Sequence, residues 1–263
     1  MEFIGKTAWV IGASSGIGAE LSKQLAEKGV RIILSARDEK ALNEVKKELK
    51  NTTQHFVFPL DLEYTDDIIT KTASLVEQVG PIHFLFNNGG LSQRATAFET
   101  NMEINRKIME INYFGNIAVA KAILPYMRKQ GGGSIIVISS IAGKFGFFLR
   151  SAYSASKHAL HGFYESLRLE EEKNFISVHI MCPGKINTNI SKNALTEKGE
   201  KHGIMDHNQE KGMDVTICAQ KILSSVEKGK REKLIGGKEI LSVYIKRFFP
   251  KLFHRIIKKQ SPV

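Results

Sequence analysis

Tyr153 and Lys157 stand four residues apart in the segment Y-S-A-S-K, a spacing with direct chemical meaning. At that spacing two side chains lie on one face of a helix, one turn from each other. A tyrosine phenol is a weak acid with an ordinary pKa of about 10. An ammonium group beside it stabilises the phenolate and lowers the pKa, so the pair predicts general acid–base chemistry near neutral pH. Alone, the spacing also fits a surface lysine beside a half-buried tyrosine.

A glycine-rich turn near the N-terminus has the spacing of a phosphate site. The segment G-A-S-S-G-I-G at residues 12–18 follows a predicted strand and precedes a predicted helix. Gly12 permits a tight turn, Gly16 lets main chain approach a pyrophosphate, and Gly18 lets the helix pack on the sheet. The free amides and dipole of the helix N-terminus favour an anion. A turn without a ligand is the alternative, but the position after the first strand favours the ligand.

Residues after the second predicted strand indicate which dinucleotide is bound. An acid at this strand end would bind a ribose 2′-hydroxyl and indicate NAD. Ala36 occupies that place and Arg37 follows, and a guanidinium can bind a 2′-phosphate, which favours NADP(H) over NAD(H). Asp38 is the rival as a displaced ribose ligand, although its position suits the N-cap of the next helix. Arg37 could equally be a solvated loop charge.

Uncharged runs alternate with helical patterns along the chain. The predicted strands are residues 7–11, 30–35, 55–58, 82–86, 134–139, 177–181 and 233–235. The predicted helices are 17–28, a helix capped by Asp38, 66–79, 103–130 with a possible kink at Pro125, and 152–173. This alternation predicts an α/β fold with a three-layer, doubly wound, parallel sheet (Rossmann-like) in a single domain. In such sheets ligands bind at the carboxyl ends of the strands, where these motifs fall.

Composition limits the possible classes of protein. The chain has 263 residues, 42% of them hydrophobic, and no apolar run of 18, so a single globular domain without a membrane span is expected. The first residues hold no long apolar run, so we expect no leader and a cytoplasmic location, with association with a membrane surface as the alternative. Two cysteines are too few for a disulfide framework. The histidines are scattered and no cluster has metal-ligand spacing, so no metal is expected.

Taken in order, these motifs resemble the short-chain dehydrogenase/reductase superfamily over residues 5–188. The matching pieces are Gly12…Gly16-Ile17-Gly18, Asp61, Asn88-Gly89-Gly90, Asn112, Ser139-Ser140, Tyr153…Lys157, Pro183-Gly184 and Thr188. Within the superfamily the chain is most similar to the 11β-hydroxysteroid-dehydrogenase-like branch, and there to its dehydrogenase/reductase member 7B type. Two residues depart from the family pattern: Ile11 stands where threonine is usual, and Gly89 where alanine is usual.

The resemblance implies an NADP(H)-dependent oxidoreductase and assigns roles to residues. Tyr153 would exchange the proton with the carbonyl or alcohol oxygen, and Lys157 would lower the Tyr153 pKa and hold the nicotinamide ribose. Ser140 would hydrogen-bond the substrate oxygen, and Asn112 would position a water behind Lys157. The implied cofactor-binding residues are Gly12, Ser14, Ser15, Gly16, Ile17, Gly18, Arg37, Asp61, Leu62, Asn88, Gly89, Gly90, Tyr153, Lys157, Pro183, Gly184, Ile186 and Thr188.

The residues expected to bind the substrate give a less specific signal than those of the cofactor site. Residues 1–237 are predicted to form the oxidoreductase domain, with a substrate-covering segment at 189–215. Phe145, Phe147, Phe148 and Leu149 precede Tyr153 and suggest an apolar pocket wall, with core packing as the alternative. A hydrophobic ketone or aldehyde (a lipid, steroid or acyl chain) is therefore expected. A 3-oxoacyl-thioester reductase of fatty-acid synthesis and a non-catalytic, cofactor-sensing binding protein are the alternatives.

The predicted C-terminal extension, 238–263, is basic and amphipathic. It holds seven basic residues and one acidic residue, which is more than half of the net charge of +11. Pro250 divides it into two predicted short helices in which apolar and cationic side chains interleave. Such a segment can lie on a membrane surface, or it can cover the domain or a partner subunit. Nucleic-acid binding is not expected, because no readout motif accompanies the charge. The family resemblance implies a homodimer or homotetramer.

Overall fold

The uncharged runs form one parallel sheet at the centre of the protein. The computed structural model describes residues 2–260, so the last three residues of the predicted extension lie outside it. The strands are β1 (Thr7–Ile11), β2 (Arg31–Ser35), β3 (Phe56–Val57), β4 (Phe84–Asn87), β5 (Gly133–Ile138), β6 (Ile176–Pro183) and β7 (Glu232–Ile235). They lie in the order β3-β2-β1-β4-β5-β6-β7, and neighbouring strands pair in parallel.

Helices cover both faces of the sheet. They are α1 (Gly16–Glu27), α2 (Glu39–Lys47), α3 (Thr65–Val79), α4 (Met102–Met109), α5 (Gly115–Lys129), α6 (Ser151–Glu171), α7 (His207–Glu210), α8 (Val215–Glu227), α9 (Leu241–Phe248) and α10 (Pro250–Ile257). Side chains of β1 alternate between the two faces: Ala8 and Val10 join the core with α1, α2 and α8, whereas Trp9 and Ile11 join the core with α3, α5 and α6. The three-layer, doubly wound α/β prediction is confirmed.

The strand order creates a crevice beside β1. The chain winds outward from β1 through β2 to β3, then returns to place β4 on the other side of β1. In register, Val10 lies between Leu34 and Phe86. Loops that leave the carboxyl ends of β1 and β4 therefore diverge, and a doubly wound sheet binds its ligand at such a point. The glycine-rich turn follows β1, and Asn88 follows β4.

The predicted helix 103–130 is helical from Met102 to Lys129, but it contains a π turn that was not predicted. The structure divides it into α4 and α5, with a π turn at Glu110–Phe114 between them. Gly115 follows this turn against the main chain of Leu62, where a Cβ atom would come within 2.2 Å of the Leu62 carbonyl oxygen. Pro125, the expected kink, lies inside α5, and the interruption falls at Asn112 instead. Single π turns in helices are frequent at functional sites.

The C-terminal segment forms two short helices, as the position of Pro250 predicts. Pro250 is the first residue of α10, where its missing N–H leaves no helical hydrogen bond unmade. Phe253 of α10 packs edge-on against Phe145, with ring centroids 5.2 Å apart. Lys246 of α9 donates to the Lys144 carbonyl oxygen at 2.7 Å. No helix within residues 2–260 is both long and apolar enough to cross a bilayer.

Candidate active site

The main chain of the glycine-rich turn adopts conformations and close contacts that require glycine. Gly12 and Gly16 have φ angles of 72° and 55°, in the left-handed region that favours glycine. A Cβ at Gly12 would lie 2.9 Å from the Gly89 Cα atom, and one at Gly18 would lie 2.1 Å from the Gly12 carbonyl oxygen. Ser15 is the N-cap of α1, and its side chain makes no capping hydrogen bond. The turn thus presents unpaired amides and close main chain, an arrangement that fits the pyrophosphate of a dinucleotide.

Most predicted cofactor-binding residues line one groove at this turn. The groove encloses about 530 Å³. The predicted residues along it are Gly12, Ser14, Ser15, Gly16, Ile17, Arg37, Asp61, Leu62, Asn88, Gly89, Gly90 and Thr188. Asn88 donates from Nδ2 to the Gly12 carbonyl oxygen at 3.1 Å, which joins the two loops that form the groove. Gly18 is buried beneath the turn and lets α1 approach it.

Arg37 and Asp38 have different surroundings at the rim of this groove. Asp38 accepts from the Ala41 amide at 3.0 Å and caps α2, which agrees with its preferred assignment. Arg37 is exposed, and its guanidinium has no hydrogen bond or ion pair within residues 2–260. A free guanidinium beside the groove is available to an anionic group of a ligand.

A second cavity of about 480 Å³ continues from the groove and is lined by three of the four predicted catalytic residues, Ser140, Tyr153 and Lys157, but not by Asn112. Ile17, Asn88, Gly90 and Thr188 line both spaces. The predicted residues in the cavity are Ser140, Tyr153, Lys157, Pro183, Gly184 and Ile186. A ligand in the groove would therefore extend into the space beside the Tyr153 hydroxyl.

Ser140 and Tyr153 are joined through their side chains. Ser140 leaves the end of β5 and starts a short 3₁₀ turn, in which its hydroxyl accepts from the Ala142 amide at 3.1 Å. The same hydroxyl is hydrogen-bonded to Tyr153. Both side chains are more than nine-tenths buried. A carbonyl oxygen placed between the two hydroxyls would find a donor on each side.

Lys157 is buried beneath Tyr153. Its Nζ atom lies 5.8 Å from the centroid of the Tyr153 ring and donates to the Ile138 carbonyl oxygen at 2.9 Å. Burial lowers the pKa of the Lys157 ammonium from 10.5 to about 8. A lysine with such a pKa can gain or lose a proton close to neutral pH.

The expected lowering of the Tyr153 pKa is corrected by the structure. Burial raises the pKa of the Tyr153 phenol above its ordinary value, and this effect exceeds the lowering by other groups. The hydrogen bond from Ser140 and the positive charges of Arg150 and Arg94 lower the pKa. Sequence spacing pointed to Lys157 for this role and did not identify the two arginines. Desolvation has a larger effect on the Tyr153 pKa than the neighbouring groups, because burial removes hydration from the charged phenolate.

Asn112 uses its side chain to hold a loop. It lies fully buried in the π turn, where its Oδ1 accepts from the Leu91 amide at 2.7 Å and its Nδ2 donates to the Leu91 carbonyl oxygen at 2.8 Å. Nδ2 also donates to Ser156 Oγ at 3.0 Å. A Cβ at Gly90 would lie 3.0 Å from Asn112 Oδ1 and 3.7 Å from Lys157 Nζ. Asn112 therefore brings the Gly90 loop against Lys157, and the water-positioning role remains a prediction.

The apolar wall is partly as expected. Phe145 and Phe147 line the cavity, whereas Phe148 and Leu149 are not among its described lining residues. The segment 189–215 contributes Ile190, Asp206 and Gln209, and the C-terminal segment contributes Ser242, Ile257 and Gln260. The side chains from α9 and α10 form part of the cavity wall, so the predicted extension takes part in enclosing this site.

A buried charge cluster in the same cavity was missed by sequence reasoning. Asp206 Oδ2 accepts from the Arg150 guanidinium at 2.7 Å and also pairs with Arg94. The three residues are far apart in sequence, and no motif joins them. Arg150 offers the one available signal, because it stands one helical turn before Tyr153.

Another group combines metal-ligand residue types, although the sequence shows no metal spacing. His161, Glu165 and Glu232 have candidate ligand atoms within 4.8 Å of one another. Lys144 Nζ lies 2.7 Å from Glu232 Oε2 and already neutralises that carboxylate. Burial lowers the pKa of His161 to about 3, so the imidazole is neutral, and its Nε2 atom lies 3.1 Å from Ser139 Oγ. Glu232 is therefore held in an ion pair with Lys144, and the neutral His161 contacts Ser139.

The protein combines a parallel, doubly wound sheet with a glycine-rich turn at the crevice beside β1 and a buried tyrosine–lysine pair. This combination defines a class of nucleotide-binding α/β oxidoreductases. A family model described as short chain dehydrogenase matches residues 6–199. The chain therefore belongs to the short-chain dehydrogenase/reductase family, and the resemblance inferred from its motifs is confirmed.

Relatives with similar sequences extend over nearly the whole chain. Mouse dehydrogenase/reductase SDR family member 7B is 40% identical over 258 residues, which cover 96% of this chain and 80% of the mouse protein. The Drosophila melanogaster dehydrogenase/reductase SDR family protein 7-like is 36% identical over 263 residues, covering 98% of this chain and 81% of the fly protein. This chain is similar to the member 7B type of the family.

Solved structures show the same fold. A short chain dehydrogenase from Burkholderia cenocepacia in complex with NADP has a TM-score of 0.81 at 24% identity, covering 99% of this chain and 100% of that one. A short chain dehydrogenase/reductase from Burkholderia phymatum in complex with NAD has a TM-score of 0.83 at 21% identity, covering 100% of this chain and 99% of that one. A variant actinorhodin polyketide ketoreductase with NADPH has a TM-score of 0.66 at 34% identity, covering 70% and 71%.

Proposed function

We propose that this protein is an NADP(H)-dependent reductase or dehydrogenase that acts on a hydrophobic ketone, aldehyde or secondary alcohol. The observation that carries the proposal is the continuity between the glycine-rich groove and the cavity that holds Ser140, Tyr153 and Lys157. When bound, the nicotinamide supplies or accepts the hydride. The chain provides the binding surface, the proton and the exclusion of water.

Each side chain has a role that follows from its surroundings. Ser140 and Tyr153 hydroxyls would bind the substrate oxygen, and Tyr153 would give its proton to that oxygen in reduction or take it in oxidation. Lys157, with a pKa lowered to about 8, would replace the proton and hold a ribose hydroxyl. Positioned proton transfer of this kind contributes about 10²–10⁴-fold to a rate. Phe145 and Phe147 supply apolar surface for the remainder of the substrate.

The test is oxidation of NADPH by the purified protein against a carbonyl panel. The panel holds a steroid ketone, a long-chain acyl ketone, an aromatic aldehyde and a 3-oxoacyl thioester. We expect turnover that Tyr153→Phe lowers by at least about 10²-fold, because the variant cannot transfer the proton. Tyr64→Phe is the matched control, since Tyr64 is exposed before α3, and it should retain full activity. Equal activity of Tyr153→Phe and the unaltered protein would refute the proposal.

A 3-oxoacyl-thioester reductase is the second candidate. The actinorhodin polyketide ketoreductase, which is named as an enzyme that reduces ketones, is 34% identical over the aligned part of the chain. An acidic carrier would also suit a protein with a net charge of +11. Thioester reduction that exceeds steroid-ketone reduction at low salt, and falls steeply as salt is raised, would favour this candidate. Failure of every carbonyl despite NADPH binding would favour a cofactor sensor.

The finer assignments of cofactor, location and partners belong to the same proposal. The free Arg37 guanidinium supports NADP(H), and the two buried, unpaired cysteines support a reducing, cytoplasmic environment. Exposed aromatic side chains of the C-terminal segment, Tyr244, Phe248 and Phe249, stand beside cations in the sequence and support contact with anionic lipid. A homodimer or homotetramer follows from the family resemblance, and light scattering measures it.

Sedimentation with vesicles of phosphatidylcholine and phosphatidylserine tests the lipid contact. The unaltered protein should sediment with the vesicles, and Phe248→Glu should lose that binding because it places a negative charge on the contact surface. Phe98→Glu is the matched control, since Phe98 is 98% exposed on a separate loop. An equal response of both variants, or no sedimentation of the unaltered protein, would exclude this contact.

A further inference from the structure

Arg150 is held in one place by contacts on several sides. Its Nη2 atom donates to Asp206 Oδ2 at 2.7 Å and its Nη1 atom donates to the Phe148 carbonyl oxygen at 3.1 Å. The guanidinium lies over the Phe147 ring, 5.0 Å from its centroid. Leu149, directly before it, has a φ of 57°, a left-handed conformation that is unfavourable for leucine. The chain accepts this conformation at the entrance to the catalytic helix, where it sets the position of Arg150.

Asp206 and Arg94 hold the opposite side of the cluster. Arg94 pairs with both Asp206 oxygens and donates to Ser92 Oγ at 3.0 Å and to the Gln93 carbonyl oxygen at 2.6 Å. Arg94 and Asp206 are each about 5% exposed. One carboxylate thus neutralises one of two guanidinium groups, which leaves a net positive charge in the cavity. Burying such a charge is unfavourable, so its presence beside the active site calls for a functional explanation.

The cluster and Tyr153 share one cavity and one helix face. Arg94, Arg150, Tyr153 and Asp206 all line the same space. Arg150 stands three residues before Tyr153 at the N-cap of α6, so the two side chains are neighbours on one face. The interaction is mutual: Arg150 lowers the pKa of Tyr153, and Tyr153 opposes the lowering of the Arg150 pKa to about 10 by burial.

We propose that Arg150, which Asp206 holds beside Arg94, is a positioning residue for acid–base chemistry that stabilises the Tyr153 phenolate. Asp206 has two opposed effects, because it fixes the guanidinium in place and also neutralises part of its charge. The inference rests on the proposed function, in which Tyr153 exchanges the proton.

Other charged groups face the same cavity and must be kept constant in a test. At the N-cap of α6 and on the helix these are Arg150 and Lys157, and the surrounding loops and turns contribute Arg94, Lys185, Asp206, Lys238 and Glu239. Glu239 is engaged with main chain, since its Oε1 accepts from the Lys185 amide at 3.0 Å and the Gly237 amide at 3.0 Å. Single substitutions at Arg150 and Asp206 leave all of the remaining groups in place.

The test is the titration of Tyr153 itself, which needs no substrate. The six tyrosines are replaced biosynthetically by difluorotyrosine, whose lower intrinsic pKa brings the titration into a tolerated pH range, and followed by ¹⁹F NMR. Tyr153→Phe identifies the resonance, and the exposed Tyr244 serves as an internal reference. Arg150→Met should raise the Tyr153 midpoint by about one pH unit, which is the shift expected when one neighbouring unit charge is removed. Arg150→Lys should raise it by less.

The two cluster variants should shift the Tyr153 titration midpoint in opposite directions, and this makes the test specific. Asp206→Asn keeps a side-chain oxygen that can accept from the Arg150 guanidinium and removes only the neutralising charge, so it should lower the Tyr153 midpoint, whereas damage to folding would alter both variants alike. Arg231→Met is the matched control, because Arg231 is largely exposed at the amino-terminal edge of the sheet, and it should leave the midpoint unchanged. An unchanged midpoint in Arg150→Met, or a shift in the same direction in both cluster variants, overturns the proposal.

Activity gives a second and separate readout. The pH profile of kcat/KM for alcohol oxidation should move to higher pH in Arg150→Met by the same amount as the NMR midpoint. If no carbonyl or alcohol is turned over but the midpoint moves as described, the proposed function fails while the electrostatic coupling stands. If turnover depends on Tyr153 but neither the profile nor the midpoint moves, the coupling fails alone.

Discussion

The side chain of Asn112 pairs with the main chain of Leu91 as another peptide group would, accepting at 2.7 Å and donating at 2.8 Å. This pair of hydrogen bonds connects the π turn to the loop that follows β4. Because the loop carries Gly90 against Lys157, the amide of Asn112 holds one wall of the candidate active site. Its residue type is required by its two-sided hydrogen bonding, independently of any bound water.

Replacing Asn112 should therefore affect stability as well as activity. Asn112→Leu leaves the Leu91 amide and carbonyl group without their partners, which should lower the free energy of unfolding by about 2–4 kcal/mol. Urea unfolding measures this, with Asn43→Leu on the exposed face of α2 as the control. A variant that loses turnover but unfolds like the unaltered protein would show that Asn112 acts only in proton transfer.

Lys157→Met should abolish activity and stabilise the fold. The folded pKa of Lys157, about 8, lies below its ordinary 10.5. The native state therefore binds fewer protons between these values, so stability rises with pH through this window and the full penalty is present at pH 7. Removal of the ammonium should raise the free energy of unfolding at pH 7 by roughly 2 kcal/mol.

This gain should shrink as pH rises and vanish above about pH 10.5, where both states of Lys157 are neutral. Thermal or urea unfolding across this range is the measurement. Lys121→Met on the exposed surface of α5 is the control and should show no such dependence. A destabilised Lys157→Met protein at pH 7 would mean that the hydrogen bond to Ile138 outweighs the desolvation of the ammonium.

Arg37→Glu should reverse the cofactor preference. If the exposed guanidinium at the groove binds a 2′-phosphate, the variant should bind NADPH about 10–100-fold more weakly, the loss expected for a charge-assisted hydrogen bond. NADH binding should change little. Calorimetric titration with both nucleotides measures this, and Lys40→Glu on α2 provides the control for a general change of charge. A parallel loss for both nucleotides would count against the 2′-phosphate assignment.

Glycine substitutions should separate main-chain contacts from side-chain contacts. A methyl group at Gly18 would lie 2.1 Å from the Gly12 carbonyl oxygen, whereas one at Gly89 would meet Leu62 Cδ1 at 2.7 Å. A leucine terminus can rotate away and a packed main chain cannot, so Gly89→Ala should cost about 1 kcal/mol and Gly18→Ala about 3 kcal/mol or more. Gly146→Ala, with nothing within 4 Å, is the control for thermal unfolding. Equal losses at Gly18 and Gly89 would contradict this reasoning.

The class of fold and most of the site could be read from local pattern. Uncharged runs such as residues 134–138 predict buried strands, and glycine spacing at residues 12–18 indicates a turn that few other residues permit. Tyr153 and Lys157 share a face because helical periodicity places them there. These features depend on neighbours in sequence, so the sequence by itself determined the sheet, the groove and the acid–base pair.

Tertiary structure decided the rest because it depends on residues brought together from distant positions. The π turn at Asn112 arises where α5 must approach the main chain of Leu62, and helical periodicity carries no sign of that approach. The direction of the Tyr153 pKa depends on burial by the whole fold. Three separate loops bring Arg94, Arg150 and Asp206 together. Charge interactions in a buried cavity depend on distance in space, and the sequence pattern does not give that distance.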